Sequence, residues 1–327
     1  MRTEAIRIQA HGGPEVLERA EVEVGEPGPG EVRVRQSAIG LNFADIYQRR
    51  GSHGPHAAAV FPLTLGAQGA GTIDAVGPGV DAALQAGQSV AYFHPGAYQA
   101  VRNVPAQRVV PLPAGISEEV AGATLLRGLT AEYLLRRLYA VKPGDAVLVH
   151  AAAGGMGVIL SQWARALGAT VIGTVGTEAK MDVARAHGCH HVIDYRREDF
   201  VARTLALTGG QGVSVVYDAV GKDVFVPSLE CLRPLGMAIN YGTASGDVEA
   251  FDLQRLHAKS LSVSRPTLRT FIADPADLRR ASAALFDVAL GGQVQLAVGQ
   301  RYALADVRRA HADLESRATT GAAVLIP

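Results

Sequence analysis

The segment Val147-Leu-Val-His-Ala-Ala-Ala-Gly-Gly-Met-Gly157 constrains the fold of this chain more than any other. A short apolar run enters a turn of small residues. Apolar residues at helical spacing follow at once, from Met156 to Leu167, and stop at Gly168. The rhythm then repeats. Thr170 to Val175 reads as a strand, Lys180 to His187 as a helix stopped by Gly188, and His191 to Tyr195 as a third strand. Val213 to Tyr217 and Met237 to Tyr241 supply two more. Alternation of this kind predicts an α/β fold with a doubly wound parallel sheet and right-handed crossovers.

The chain before about Arg127 reads differently. Val32 to Ile39, Gly69 to Gly79, Gln88 to Phe93 and Arg108 to Leu112 are strand candidates, and Pro27-Gly-Pro-Gly30 is turn chemistry. Ser117-Glu-Glu marks a helix start, with serine as N-cap and acids in the first turn. This part is β-rich and lacks strand–helix alternation. After Arg265 helix and strand patterns return, and this tail is expected to rejoin the first domain. The 327 residues suit two domains.

Lys+Arg and Asp+Glu both number 31, which argues against a broad grip on nucleic acid or anionic membrane. The two cysteines, Cys189 and Cys231, cannot make a disulfide framework, so a reducing compartment is expected. Met1 to Gly12 has no apolar core of a secretory signal, and no apolar run is long enough to span a bilayer. The reading is cytoplasmic.

The glycine turn carries the first functional expectation. Small residues let backbone approach a pyrophosphate, and the helix behind them offers free N–H groups and a favourable dipole. Ala152 stands where the first glycine of G-x-G-x-x-G would be, and Gly154 and Gly157 hold the other two places. A glycine-rich helix entry that merely packs on the sheet is the alternative. The strand before the turn and the αβ units after it favour dinucleotide binding. The second strand ends in Gly176-Thr177, without the acid that would bind a ribose 2′-hydroxyl, and Lys180 follows. That leans towards NADP, although Lys180 equally suits a solvated place in a first helical turn.

No cysteine precedes Cys189, so thiolate-based catalytic or structural zinc sites of the usual kind cannot be built. The histidines are scattered. His53 and His56 lie in a loop, and His190-His191 would point to opposite faces of a strand. Hydride delivery to an acceptor that is already electrophilic, a quinone or conjugated enone, suits such a chain.

The stretches His11-Gly-Gly-Pro-Glu-Val-Leu17, Ile39-Gly-Leu-Asn-Phe-Ala-Asp45, Gly128-Leu-Thr130, His150 to Gly157, Ile172 to Thr177, Val215-Val-Tyr-Asp-Ala-Val-Gly221, Arg265-Pro266 and Glu315-Ser-Arg-Ala-Thr319 follow one another along the chain. Together they resemble the quinone oxidoreductases of the ζ-crystallin type, zinc-free members of the medium-chain dehydrogenase/reductase superfamily. The resemblance implies a GroES-like catalytic domain, residues 1–127 and 266–327, and a Rossmann domain, residues 128–265, with NADPH in a cleft between them. It also implies a homodimer, commonly with sheets joined across the Rossmann domains.

By position, the resemblance puts Asn42, Phe43, Asp45 and Tyr47 at the nicotinamide end, with Asn42, Asp45 and Tyr47 as catalytic candidates. Thr130 joins that end. Gly154, Gly155, Met156 and Gly157 line the pyrophosphate. Gly176, Thr177, Lys180, Tyr195 and Arg317 surround the adenosine 2′-phosphate, and Asn240, Tyr241 and Arg265 lie along the far side. Phe43 and Tyr241 equally suit plain core aromatics, Arg317 a solvated helix charge, and Asp45 a helix cap. One departure stands out: Gln68, in Leu65-Gly-Ala-Gln-Gly-Ala-Gly71, occupies a place where the family more often has an acid. The substrate expected is a quinone. The alternatives are an enal or enone reductase, and a crystallin-like or RNA-binding protein without important turnover; balanced charge weakens the RNA-binding reading.

Overall fold

The computed structural model describes residues 1–52, 59–316 and 319–327. In chain order the elements begin with β1 (Arg2–Ile8), β2 (Glu18–Glu23), β3 (Glu31–Leu41), α1 (Phe43–Arg50) and β4 (Leu63–Thr64). They continue with β5 (Gln68–Val76), β6 (Ser89–Phe93), β7 (Val101–Pro105), β8 (Val109–Pro111) and α2 (Glu118–Tyr133). Next come β9 (Ala146–Val149), α3 (Gly155–Ala166), β10 (Thr170–Val175), α4 (Glu178–Ala186), β11 (His191–Asp194), α5 (Phe200–Leu207) and β12 (Val213–Asp218). The last are α6 (Phe225–Ser228), β13 (Leu232–Asn240), β14 (Ser262–Ser264), α7 (Leu268–Phe271), α8 (Pro275–Leu290), β15 (Val298–Ala303), α9 (Val307–Glu315) and β16 (Ala322–Ile326).

The chain forms two compact units, one of Met1–Leu126 with Leu296–Pro327, the other of Arg127–Gln295. In the first unit, β15-β16-β3-β5-β6-β8 make one sheet, with β7 also on β3, and β2-β1-β4 make a second. β3 shows why. Its buried residues alternate at Val32, Val34, Gln36 and Ala38, then run without a break from Ala38 to Leu41. The first stretch presents one face to the core and the last is covered on both. Ile6, Val34, Ile39, Ile73, Tyr92 and Leu325 share one apolar cluster.

In the second unit the sheet order is β11-β10-β9-β12-β13-β14, and the pairings are parallel. Every residue of β12 is buried, as a central strand covered on both faces by helices requires. The order reverses where β9 and β12 pair, so a crevice opens beyond their carboxyl ends, the usual place for a ligand in such a sheet.

The chain leaves the second unit at Leu296, not at Pro266 as expected from sequence. The reason is local packing. Phe271 stacks on Tyr133 with ring centroids 4.2 Å apart, Arg137 donates to the Phe271 carbonyl at 3.0 Å, and Leu285 fills the space above Gly128. Three anchors on the segment 127–137 therefore hold α7 and α8 to the Rossmann-like unit.

Gln68 also has a clear task. Fully buried at the start of β5, it donates through Nε2 to the Ala123 carbonyl at 3.3 Å and accepts from the Leu126 N–H. A side-chain amide can do both at once; an ionised carboxylate can only accept.

Candidate functional site

In the second unit, β9 feeds the glycine turn. Ala151 takes the left-handed conformation at φ 53°, whereas the turn glycines do not. The need for glycine at 157 is one of space: a Cβ there would lie 2.4 Å from the Ala151 carbonyl oxygen and 2.7 Å from the Ala152 backbone. At Gly154 a Cβ would meet only the Ala151 oxygen, at 3.1 Å. Gly154 is the N-cap of α3, and among the described residues no side chain caps this helix. The first amides of α3, from Gly155, Met156 and Gly157, thus lack the side-chain acceptor that many helices carry.

At the end of β10, a Cβ on Gly176 would come within 2.5 Å of the Tyr195 hydroxyl, so glycine lets that ring lie against the strand end. Tyr195 is 39 % exposed and offers a flat, accessible surface. Thr177 is exposed as the N-cap of α4, and Lys180 is half-buried in that helix. The acid of this turn, Glu178, is engaged by Arg197 at 3.1 Å, and Arg197 also faces Asp194. Arg317 lies outside the described residues, as do His53 and His56.

Beyond β12 and β13, Asp218 is a buried organiser that sequence reasoning passed over. Its Oδ1 accepts from the Val220 and Gly221 amides at 2.7 and 3.0 Å, and its Oδ2 accepts from Asn240 Nδ2 at 2.8 Å. Burial pushes this carboxyl up to about 6, against the pull of those donors and Arg265. Asn240 Nδ2 donates as well to the Gly242 carbonyl at 2.9 Å, so the side chain has its oxygen left to offer a ligand. Arg265 donates to the Asn240 carbonyl at 3.1 Å. The Tyr241 hydroxyl is buried with no hydrogen-bond partner among the described residues, and burial raises its pKa well above the ordinary phenol value. Thr130 is buried on α2. The signal for Asp218 was present in the sequence: an aspartate three residues before a glycine, at a strand end, forms an Asx-type turn.

In the first unit, Asn42, Phe43, Asp45 and Tyr47 all sit at the junction of β3 and α1. Phe43 and Tyr47, one helical turn apart, have ring centroids 6.2 Å apart, and Phe43 packs against the apolar core. Asp45 caps α1: its Oδ2 accepts from the Asn42 N–H at 2.8 Å and from the Tyr98 hydroxyl at 3.2 Å. The buried Asn42 Nδ2 has no hydrogen-bond partner among the described residues. Tyr98, Arg49 and His311, behind Asp45, were not singled out from sequence, because their pairing spans up to 262 positions. Among the described residues no group of three or more His, Cys, Asp or Glu is placed to hold a metal ion. None of the described helices is long and apolar enough to cross a membrane.

The family model for an alcohol dehydrogenase GroES-like domain matches residues 28–137, and that for a zinc-binding dehydrogenase matches residues 155–286. The chain is 45 % identical over 325 residues to a quinone oxidoreductase of Pseudomonas aeruginosa, covering 98 % of this chain and 99 % of that one. It is 42 % identical over 327 residues to a 2-haloacrylate reductase of a Burkholderia species, covering 98 % of each. A crystal structure of Escherichia coli quinone oxidoreductase complexed with NADPH superposes with a TM-score of 0.95 at 45 % identity, covering 99 % of this chain and all of that one.

Proposed function

Because the chain belongs to the quinone oxidoreductase family of the medium-chain dehydrogenase/reductase superfamily, we propose that it is an NADPH-dependent reductase of quinones. The observation that carries this reading is the uncapped start of α3 behind a turn too tight for a side chain at Gly157, at the crevice where the strand order reverses. A dinucleotide suits that donor set.

In this reading the backbone of Gly154, Gly155, Met156 and Gly157 holds the pyrophosphate. Gly176 leaves room for the adenosine ribose, Thr177 and Lys180 bind its 2′-phosphate with Arg317, and Tyr195 supplies a face for adenine. Asn240, through the oxygen that Asp218 leaves unused, serves with Tyr241, Arg265 and Thr130 along the nicotinamide half. When bound, NADPH supplies the hydride. The protein's part is to orient the acceptor and exclude water, since a quinone already carries much of its own driving force. Asn42 offers an amide donor, and Tyr47 or solvent delivers the proton. No thiolate precedes Cys189, so the chemistry is read as zinc-independent.

The test is NADPH oxidation with duroquinone, with an enone such as 2-cyclohexenone, and with no acceptor. Fast turnover of duroquinone, unchanged after EDTA and dialysis, is expected. The kinship with a 2-haloacrylate reductase supports a second reading, reduction of a conjugated carbonyl; preference for the enone would select it. Binding of NADPH without turnover of either acceptor would select a crystallin-like role. We further propose a cytoplasmic homodimer that binds neither nucleic acid nor membrane; a monomer mass in sedimentation equilibrium would refute the dimer.

A further inference from the structure

A chain of hydrogen bonds runs through the first unit from Arg49 to Asp45, the carboxylate that also accepts the Asn42 N–H. Arg49, on α1, is fully buried, and its Nη1 lies 3.0 Å from His311 Nδ1 on α9. A guanidinium can only donate, so Nδ1 must accept and the imidazole proton must sit on Nε2. His311 Nε2 lies 3.0 Å from the Tyr98 hydroxyl and donates to it. The Tyr98 hydrogen is then committed to Asp45 Oδ2, at 3.2 Å, and that same oxygen accepts the Asn42 N–H. Arg49, His311, Tyr98, Asp45 and Asn42 are each at most 4 % exposed. The far end is pinned too: Glu315 Oε1 accepts from Arg49 at 2.6 Å. Burial and the adjacent Arg49 push His311 down to about 3, so it stays neutral and each donor keeps its direction.

This arrangement is unsuited to moving protons, because Arg49 blocks Nδ1. It is suited to fixing a backbone. Asp45 accepts the Asn42 N–H, the Asn42 carbonyl accepts the Asp45 N–H at 3.0 Å, and the donor Nδ2 of Asn42 remains unpartnered although the residue is buried. A buried amide donor held on a rigid support but left unpaired is expensive unless a ligand completes it.

We propose that Arg49, His311 and Tyr98 are positioning residues that hold Asn42 so that its Nδ2 donates to the carbonyl oxygen of the hydride acceptor. This rests on the quinone reductase reading. As hydride adds to the quinone, negative charge develops on that oxygen. A pre-oriented donor there stabilises it before solvent or Tyr47 delivers the proton.

The experiment compares Tyr98→Phe with Asn42→Ala by three readouts. These are deuterium exchange of the Asn42 backbone amide in the cofactor-free protein, the carbonyl stretch of duroquinone bound beside NADP+, and kcat and KM with duroquinone. Asn42→Ala should lower kcat by about 10²-fold and raise the stretching frequency, with NADPH affinity unchanged. Tyr98→Phe, which keeps the ring, should speed Asn42 exchange and lower kcat, each about tenfold, and move the stretch towards that of Asn42→Ala. If Tyr98→Phe lowers only the melting temperature and leaves all three readouts at wild-type values, the chain is merely structural and the proposal fails. Should Tyr98→Phe not fold, His311→Asn, which keeps an acceptor for Arg49 but is too short to donate to Tyr98, carries the test, and wild-type readouts in it refute positioning through His311. A wild-type protein that reduces no quinone refutes the acceptor reading; the exchange rates still decide the positioning claim.

Discussion

Alanine at Gly157 and alanine at Gly154 should fail in different ways, and the contrast separates folding from cofactor binding. At position 157 the new Cβ would begin 2.4 Å from the Ala151 oxygen, where real contacts stay beyond 3.0 Å, so backbone must move by about 0.6 Å. The neighbours are main-chain atoms of Ala151 and Ala152, and Ala151 is already in the left-handed region. Overpacking of this kind costs about 1–3 kcal/mol. For a unit the size of Arg127–Gln295 that lowers the melting temperature by roughly 2–12 °C. At position 154 the nearest atom is 3.1 Å away and the backbone, at φ −77° and ψ 167°, accepts any residue. Loss of the glycine N-cap should cost less than about 1 kcal/mol. If the pyrophosphate lies over this turn, the added methyl should nonetheless weaken NADPH binding about tenfold, the value of one lost charge-assisted contact. Trp163, the one tryptophan of the chain, is buried on α3 and reports unfolding of this unit by fluorescence. A Gly157→Ala protein that melts with the parent refutes the spacing argument. A Gly154→Ala protein that binds NADPH as tightly as wild type removes the cofactor from the turn.

Lys180→Ala should raise the NADPH KM by at least about tenfold and leave NADH nearly untouched, as expected for about 1.5–3 kcal/mol of phosphate contact; equal losses for both cofactors would remove Lys180 from the 2′-phosphate. Acid should destabilise the fold through His150 and His311, which burial pushes down to about 3. Their neutral folded forms contribute stability that is complete above the unfolded value of 6.5 and is lost as pH falls towards 3. Asp218, pushed up to about 6, works in the opposite sense below that pH, so the net slope should approach one proton, about 1.4 kcal/mol per pH unit. Urea midpoints that stay flat from pH 6.5 to 4.5 would contradict this. Gln68→Glu should leave the Ala123 carbonyl unpaired whenever the acid is ionised. Burial raises the new carboxyl above its unfolded value, so the protonated form bonds at low pH. The penalty, about 1–3 kcal/mol, should therefore appear as pH rises above roughly 4.3. A variant matching wild type at pH 8 would show that the bridge is dispensable.

The order of strands and helices from Ala146 to Asp194 could be read from sequence within a residue or two, because each turn of the α/β unit carries its own local marker. Gly168 and Gly188 end α3 and α4 at positive φ, and β10 spans the predicted Thr170 to Val175. The first unit was less legible. β1, β2 and β7 were missed, since short antiparallel strands on partly exposed sheets leave weak alternation. The late return of the chain at Leu296 depends on Phe271 meeting Tyr133 and Leu285 meeting Gly128, contacts between residues far apart in sequence.

The candidate site divides along the same line. The sequence by itself showed the glycine turn and the missing acid after β10, and its resemblance to a family pointed to the segment from Asn42 to Tyr47. Each depends on residues a few positions apart, whose geometry the peptide backbone sets locally. Tertiary structure alone decided that Asp218 aims Asn240, that Gln68 bridges β5 to α2, and that Arg49, His311 and Tyr98 stand behind Asp45 and Asn42. A hydrogen bond between buried groups requires the folded chain to bring both partners within about 3 Å and to exclude water from both. Nothing in the residue types or their spacing encodes which distant pairs will meet.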